Sequence, residues 1–525
     1  MLRFAVFFLL SGRLAAGDYT GDYRPQSHFS PLSGWMNDPN GLFYDEEGDW
    51  HLYYQHNPDA PEGGNQHWGH ATSKDLYHWE NQAIALEPTA ELGTMWSGCA
   101  VIDTNNTSGF FPDQSNGMVA VYTAATSDGQ KQALAFSKDN GYTFTQYEGN
   151  PILSYTSGDF RDPKVLWHPD TSKWVMLVSY ASERTLAFYT SDNLKDWERV
   201  STWAYSGKGG GALECPNFSP VPFIPEGSDT ATGLVWLLWV ASSEGNPAGG
   251  SLVEYYVGSF DGTSFTAFGD ARIVEFGTDI YGGQLYNVDT LPETWKQKGA
   301  PGFHWATNLL YAGNSPTGPA EGWRHIQTLP RVYHITNSSY VDEDFALVAE
   351  PQDMMPITGQ LLANTSNMIL EGNRLEAKSL ELESSAGTFL LRLRLYNLTG
   401  DSTGARLNIT VSDSATAESV TAIQEFDAMN QFTLDRSNTR GEVDTGYEES
   451  SICTTSLGVI HEYDLVIVVD RSVWEVFIMK GHRVATQVFY VSEGTMMDTL
   501  TATSSGFAEG VHIEAEVLQL QSVWA

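Results

Sequence analysis

From about residue 25 to residue 340 the chain is written in short strand-like runs broken by Gly, Pro, Asn and Asp, and it carries no long amphipathic helical pattern. Trp50-His51-Leu52-Tyr53-Tyr54 and Lys173-Trp174-Val175-Met176-Leu177-Val178 are typical runs. A degenerate unit recurs among them: Ser73-Lys74-Asp75-Leu76-Tyr77-His78-Trp79, then Ser137 to Phe144, Ser191 to Trp197 and Ser259 to Phe265. Each copy follows a strand-like run, ends on an aromatic, and lies 54 to 68 residues from the next. One four-stranded propeller blade fits such an interval, and about five would fill the region. Beyond about residue 360 the alternation becomes cleaner, as in Leu391-Arg392-Leu393-Arg394-Leu395 and Ile513-Glu514-Ala515-Glu516-Val517, which is the pattern of half-buried strands in a β-sandwich. Leu465 to Val469 and Val473 to Phe477 are expected to form a hairpin across Asp470-Arg471-Ser472. The expectation is an all-β chain, a five-bladed β-propeller over 18–340, a joining stretch over 341–358 and a β-sandwich over 359–525.

Residues 1–17 read as a secretory signal peptide: Met1-Leu2-Arg3, an apolar run from Phe4 to Leu10, and small residues Ala15-Ala16-Gly17. That run is too short to span a bilayer, so the mature chain is expected outside the cell, with no membrane partner. The sequons at Asn105, Asn106, Asn337, Asn364, Asn397 and Asn408 suit such a route. Asn217-Phe218-Ser219 is a seventh, expected to stay unmodified because it adjoins Glu214 and precedes Pro220. Three cysteines exclude a disulfide framework and offer no Cys-x-x-Cys metal spacing. With 28 Lys plus Arg against 65 Asp plus Glu the formal net charge is −37, which excludes nucleic acid as a partner and favours a neutral substrate.

Three acidic residues stand in separate motifs: Asp38 in Trp35-Met36-Asn37-Asp38-Pro39-Asn40-Gly41, Asp162 in Phe160-Arg161-Asp162-Pro163-Lys164, and Glu214 in Glu214-Cys215-Pro216. Cleaving a glycosidic bond needs one carboxylate to attack or stabilise an oxocarbenium-like centre and one carboxyl to protonate the departing oxygen. Each motif also has a plain structural reading. Asp38-Pro39-Asn40-Gly41 makes a good β-turn, Arg161-Asp162 could be an ion pair, and a Glu after Gly209-Gly210-Gly211 could be a loop residue. If Glu214 is functional, the Gly run and the neighbouring Cys-Pro suggest a flexible, apolar setting that would raise its pKa and suit a general acid. His67, His70 and His304 show no metal-ligand spacing, and no metal or cofactor is expected.

Taken together and in this order, the motifs resemble glycoside hydrolase family 32, the invertase, inulinase and levanase group, with the fungal invertases nearest in look. Trp68-Gly69-His70-Ala71, Trp96-Ser97-Gly98, Phe276 to Tyr281, Trp305-Ala306-Thr307-Asn308, Glu321-Gly322-Trp323-Arg324 and Asp470 to Phe477 add to the resemblance. It implies a propeller with an axial pocket followed by a sandwich. It also implies that Asp38 is a nucleophile attacking fructose C2, Glu214 the acid and then base, and Asp162 a transition-state stabiliser. Asn37, Gln55, Trp68, Trp96, Ser97, Arg161, Asp279 and Trp305 fall at implied sugar-pocket positions. Two segments depart from the family pattern, Leu309-Leu310-Tyr311 and Ile280-Tyr281-Gly282-Gly283, and both are expected at the pocket rim.

The expected activity is that of a secreted retaining β-fructofuranosidase acting on sucrose or fructans. A fructosyltransferase would use the same three carboxylates, with a sugar hydroxyl in place of water. A noncatalytic glycan-binding propeller is the rival from another class, and the presence of all three acids weighs against it. For the sandwich three roles stay open: binding sugar, shaping the pocket edge, or forming a homodimer.

Overall fold

The computed structural model describes residues 18–524 apart from 156–157, 342, 365–367, 370–373, 382–386, 399–403, 441–442, 444 and 459. The leader expected over 1–17 lies outside the described residues. Among those described, no helix is long and apolar enough to cross a membrane. The α-helices described there are single short pieces, Glu293–Lys298, Thr317–Glu321 and Thr445–Glu449.

The N-terminal region is a propeller-type domain. Four strands, Gly34–Tyr44, Thr94–Ile102, Phe160–His168 and Gly210–Phe223, each begin an antiparallel meander with the strands that follow them in sequence. A further antiparallel succession runs through Tyr281–Leu285, Ala300–Ala306, Arg331–Ser338 and Glu343–Pro351. One parallel contact, Phe223 beside Ile335, merges this last group with the one before it into a single ten-stranded sheet. The first strand is clasped by residues from the far end of the region, with Gly34 and Trp35 paired in parallel to Trp323 and Arg324. Such closure protects a strand that would otherwise be an open edge. The strand Glu343–Pro351 corrects the expected joining stretch over 341–358. Ala346, Leu347, Val348 and Ala349 are buried there, so the chain stays paired to Arg331–Ser338 until residue 351.

Five first strands share one irregularity at the same level. In each, two residues stand opposite one on the neighbouring strand: Asn37 and Asp38 opposite Gln55, Trp96 and Ser97 opposite Thr123, and Asp162 and Pro163 opposite Val178. Cys215 and Pro216 likewise face Val240, and Gly282 and Gly283 face His304. A bulge re-aims side chains and tolerates proline, which has no N–H for the ladder. Pro163 and Pro216 therefore sit where the pairing is already broken, while Pro39 follows its bulge directly and is back in register with Tyr54. The β-turn reading of Asp38-Pro39-Asn40-Gly41 gives way to this arrangement, since Gly34–Tyr44 is one bulged strand of 11 residues.

From Thr358 onward a seven-stranded and a six-stranded sheet face each other across a core that includes Phe389, Leu393, Leu407, Ile409, Phe432, Ile467, Trp474 and Val517. Its expected hairpin is present, with Tyr463–Asp470 paired to Val473–Ile478.

The two regions are joined through buried charge. Arg331 reaches Glu275 at 2.7 Å and Glu475 at 3.0 Å. His28 lies between Asp470 at 2.8 Å and Glu475 at 3.3 Å. Burial alone would lower the His28 pKa, but these two carboxylates push it up to about 9. Arg436 of the sandwich donates to Asp279 Oδ2 at 2.5 Å and to Tyr311, and the Val488 N–H also reaches Asp279 Oδ2 at 2.7 Å. Asp279, Arg331, Arg436 and Glu475 are all fully buried. Removing one partner of such a pair leaves the other charge without compensation, typically at a cost of about 3–5 kcal/mol. Arg436→Met should therefore lower unfolding stability by about that amount in urea titrations. A change no larger than that of an ordinary surface substitution, about 0.5 kcal/mol, would contradict this role for the pair.

Candidate active site

The bulges bring Asp38, Ser97, Asp162, Glu214 and Tyr281 from five separate strands into one hydrogen-bonded group. Asp38 is 8 % exposed. Its Oδ2 accepts from Ser97 Oγ at 2.5 Å and from Cys215 Sγ at 3.3 Å. Asp162 takes a left-handed backbone conformation, φ 64°, that a side chain bearing a Cβ adopts at some cost. The strain is held by two bonds: its N–H donates to Thr123 Oγ1 at 2.9 Å, and its Oδ2 accepts from the Cys215 N–H at 2.8 Å. Glu214 has Arg161 Nε at 3.0 Å from Oε1 and the Tyr281 hydroxyl donating to Oε2 at 2.6 Å.

Arg161 is shared. Its Nη1 also donates to Gln130 Oε1 and Asp159 Oδ1, both at 3.1 Å, while Asp162 Oδ2 lies 4.0 Å from Nε. The guanidinium is thus hydrogen-bonded to Glu214 and Asp159, with its sequence neighbour Asp162 at the longer distance. Glu214 itself is set in the strand Gly210–Phe223, with its side chain about one-quarter exposed at 26 %. The flexible, apolar surroundings expected from the Gly run are replaced by a rigid strand, a guanidinium and a phenol.

Burial pushes the Asp38 carboxyl up to about 6; Ser97 opposes this and the Glu214 charge adds to it. Burial raises Asp162 as well, against the pull of Arg161 and with the help of Glu214 and Asp38. Asp38 and Asp162, buried and close to further negative charge, thus hold their protons more tightly than exposed carboxyls do. With these donors the group can hold a polyhydroxylated ring, place a carboxylate against it and deliver a proton beside it.

The other expected positions separate into groups. Asn37 accepts from Trp35 Nε1 at 2.9 Å and Gln66 Nε2 at 3.1 Å. Gln55, opposite the first bulge, donates to the Met95 carbonyl at 3.0 Å. Trp96 remains partly exposed, its indole N–H bonded to Thr94 at 2.9 Å. Trp305 is 4 % exposed, near Trp35 and Tyr281 with ring centroids at 5.9 and 6.2 Å. Trp68 does not face a pocket. It is fully buried in the core with Tyr53, Met95 and Tyr122, and its N–H supports the Trp96 carbonyl at 3.0 Å. Asp279 is likewise removed from any sugar, because Arg436 and Tyr311 enclose it at the domain junction. Neither departing segment is simply rim. Tyr281 touches Glu214, an added Cβ on Gly282 would fall 2.2 Å from Asp38 Oδ1, and Tyr311 belongs to the domain junction.

Residues 28–348 match the family described as Glycosyl hydrolases family 32 N-terminal domain, and residues 358–522 match Glycosyl hydrolases family 32 C terminal. The chain belongs to glycosyl hydrolase family 32. It is 33 % identical to Invertase 2 of Saccharomyces cerevisiae over 533 residues, covering 96 % of this chain and 97 % of that one. It is 35 % identical to an extracellular exo-inulinase of Meyerozyma guilliermondii over 515 residues, covering 95 % of each. Among solved structures it is similar to exo-inulinase from Aspergillus awamori, with a TM-score of 0.84, 31 % identity, and coverage of 97 % of this chain and 100 % of that one. It is also similar to β-fructofuranosidase from Schwanniomyces occidentalis complexed with fructosyl-erythritol, with a TM-score of 0.82, 30 % identity, and coverage of 96 % and 99 %.

Within this family 32 chain, Tyr281, Gly282, Thr123 and Gln130 are site residues that the sequence reading did not single out. Tyr281 and Gly282 lay in a segment marked as a departure, and the Gly-Gly pair was the available signal. Thr123 and Gln130 carry no motif; they matter only because of what their strands face.

Asp38 yields a stability prediction. An acid whose folded pKa, about 6, exceeds its ordinary 3.8 binds its proton more tightly in the fold. That contribution is fully present below the ordinary value and is lost as pH rises through about 6. Asp38→Asn should therefore raise the unfolding free energy at pH 8, by about 3 kcal/mol, and most of the gain should be gone near pH 4. Equal stability of the two proteins across this range would show that the carboxylate is not destabilised by its burial.

Proposed function

We propose that the chain is a secreted retaining β-fructofuranosidase that hydrolyses terminal β-fructofuranosyl units, with sucrose the first substrate and fructans further ones. The observation carrying this reading is the asymmetric support of the carboxyls. Asp38 has Oδ2 fixed by two donors, while Oδ1 lies against Gly282, where a Cβ would collide with it. Glu214 has one oxygen held by a cation and the other by a neutral hydroxyl that a substrate can displace.

In the first step Asp38 attacks C2, the bond from C2 to the leaving oxygen breaks, and Glu214 gives that oxygen its proton. In the second, Glu214 takes a proton from water, the water oxygen bonds to C2, and the ester to Asp38 breaks. Two displacements retain the β configuration. Asp162, anchored by Thr123 and Cys215, is assigned to the ring hydroxyls, where a charge-assisted hydrogen bond strengthens as positive charge develops. Asn37, Gln55, Trp96, Ser97, Arg161 and Trp305 are assigned to shaping and supporting the sugar pocket. Names of relatives support the same chemistry: invertase, exo-inulinase, and a β-fructofuranosidase holding a fructosyl ligand. Secretion is supported by the leader pattern of residues 1–17 and by the extracellular exo-inulinase among those relatives. Transfer to a sugar acceptor would differ only in the second step, and a sandwich-mediated homodimer would leave these steps unchanged.

The proton donor can be tested through the leaving group. Glu214→Gln should lower kcat/KM for sucrose by about a thousandfold or more, within the usual range for general acid catalysis. Fructosyl fluoride needs much less help to leave, so its first step should fall by less than about tenfold. Equal large losses on both substrates would remove Glu214 from the acid role.

A further inference from the structure

At the other ends of the first strands lies a second, smaller concavity. Ile102 closes the strand that carries Ser97, Trp167 lies near the end of the strand that carries Asp162, and Asn287 follows the strand that begins at Tyr281. Five residues of extended chain separate Ser97 from Ile102, about 16 Å of strand. The cavity, about 110 Å³, is therefore well removed from the three carboxylates.

Its lining contains two tryptophans and several amides and hydroxyls, with no charged side chain. Trp167 is half-buried and meets Trp174 edge to face, with centroids 5.1 Å apart and planes at 69°. Trp174 is tied down by its N–H to Thr107 at 2.8 Å. The Trp167 indole N–H has no hydrogen-bond partner among the described residues, and neither have the exposed side chains of Thr104 and Asn105. Yet the loop that carries them is rigidly built. Buried Asp103 accepts from the N–H and hydroxyl of both Thr107 and Ser108, at 2.6 to 2.9 Å. On the facing side, Asn287 is fixed by its Nδ2 to the Ala100 carbonyl at 2.7 Å.

We propose that this pocket is a second binding site, for one neutral sugar ring. An indole beside unpaired amide and hydroxyl groups suits a ligand with an apolar C–H face and a hydroxylated edge. A purely aliphatic ligand would strand those polar groups, and a charged one would find no counter-ion. The volume admits one ring, so binding is weak, and the prebuilt loop keeps the ordering cost low. The ring has two available sources. One is a free fructosyl or glucosyl sugar; the other is an acetamido sugar of the type that would be attached at the Asn105 sequon, on the pocket's own lip.

The test uses 19F NMR of the full chain labelled with 5-fluorotryptophan, made in a host that does not glycosylate and carrying Asp38→Asn to prevent turnover. Trp167→Phe identifies the Trp167 resonance. Titration with fructose, glucose and N-acetylglucosamine should move that resonance saturably for at least one of the three, and which one does so distinguishes the sources. Thr104→Ala with Asn105→Ala should weaken this response at least fivefold. On the Asp38 background the same pair should leave kcat/KM for sucrose within twofold. The 6-phosphate of whichever sugar binds should act on Trp167 at least fivefold more weakly than that sugar itself. No saturable shift with any of the three sugars, a response unchanged in the double variant, or tighter binding of the phosphorylated sugar would overturn the proposal.

Discussion

Three carboxyl groups on three different strands of the propeller-type domain are held in one hydrogen-bonded group, two of them beside the Arg161 guanidinium. Burial makes the charged forms of Asp38 and Asp162 costly, so the surrounding donors decide how each carboxyl is held. Arg161 takes one oxygen of Glu214, Ser97 and Cys215 take one of Asp38, and the Cys215 N–H takes one of Asp162. Cys215 thus links two carboxylates through its thiol and its backbone while sitting next in sequence to the third. The arrangement destabilises the fold locally and is tolerated because the strands that carry it are fixed elsewhere.

What fixes them is partly repetition. Each of five strands loses register at the same level, two residues against one, and the side chains that converge there come from those bulges or from the positions beside them. Pro163 and Pro216 fall in the bulges, where no ladder bond is required, and Gly282 accepts φ 49° where a side chain would collide with Asp38. The domain junction supplies the remaining rigidity. Glu475 holds Arg331 and the Leu329 N–H, and Asp470 holds the backbone N–H groups of Gln26, Ser27 and His28. The sandwich thereby anchors the segments that run into the first strand and into the third strand of the last meander.

Much of this was legible in the residues. The strand texture and the recurring Ser-to-aromatic unit indicated an all-β propeller followed by a sandwich, and the three acidic motifs named the carboxyls that the structure brings together. Side-chain direction was not legible. Trp68 and Asp279 stand in motifs rich in polar and aromatic residues, yet one faces a core and the other a buried arginine more than 150 positions away, because facing depends on pairing between distant strands. The bulges escaped notice for a related reason: a proline after an aspartate reads equally well as a turn. The Gly run before Glu214 looked flexible because its partners, Arg184, Ser242 and Ser243, lie in other strands or loops.

The proposed chemistry turns on a covalent bond from Asp38 to the sugar. It is tested most directly by mixing the Glu214→Gln protein with fructosyl fluoride, quenching rapidly in acid and mapping the digested protein by mass spectrometry. Attack can proceed without the acid, while hydrolysis of the intermediate is slowed by loss of the base. One anhydrofructose unit should be attached to the peptide containing Asp38, at the carboxyl itself, appearing as fluoride is released. Fluoride release with no adduct on that peptide, or an adduct on Asp162 instead, would contradict it.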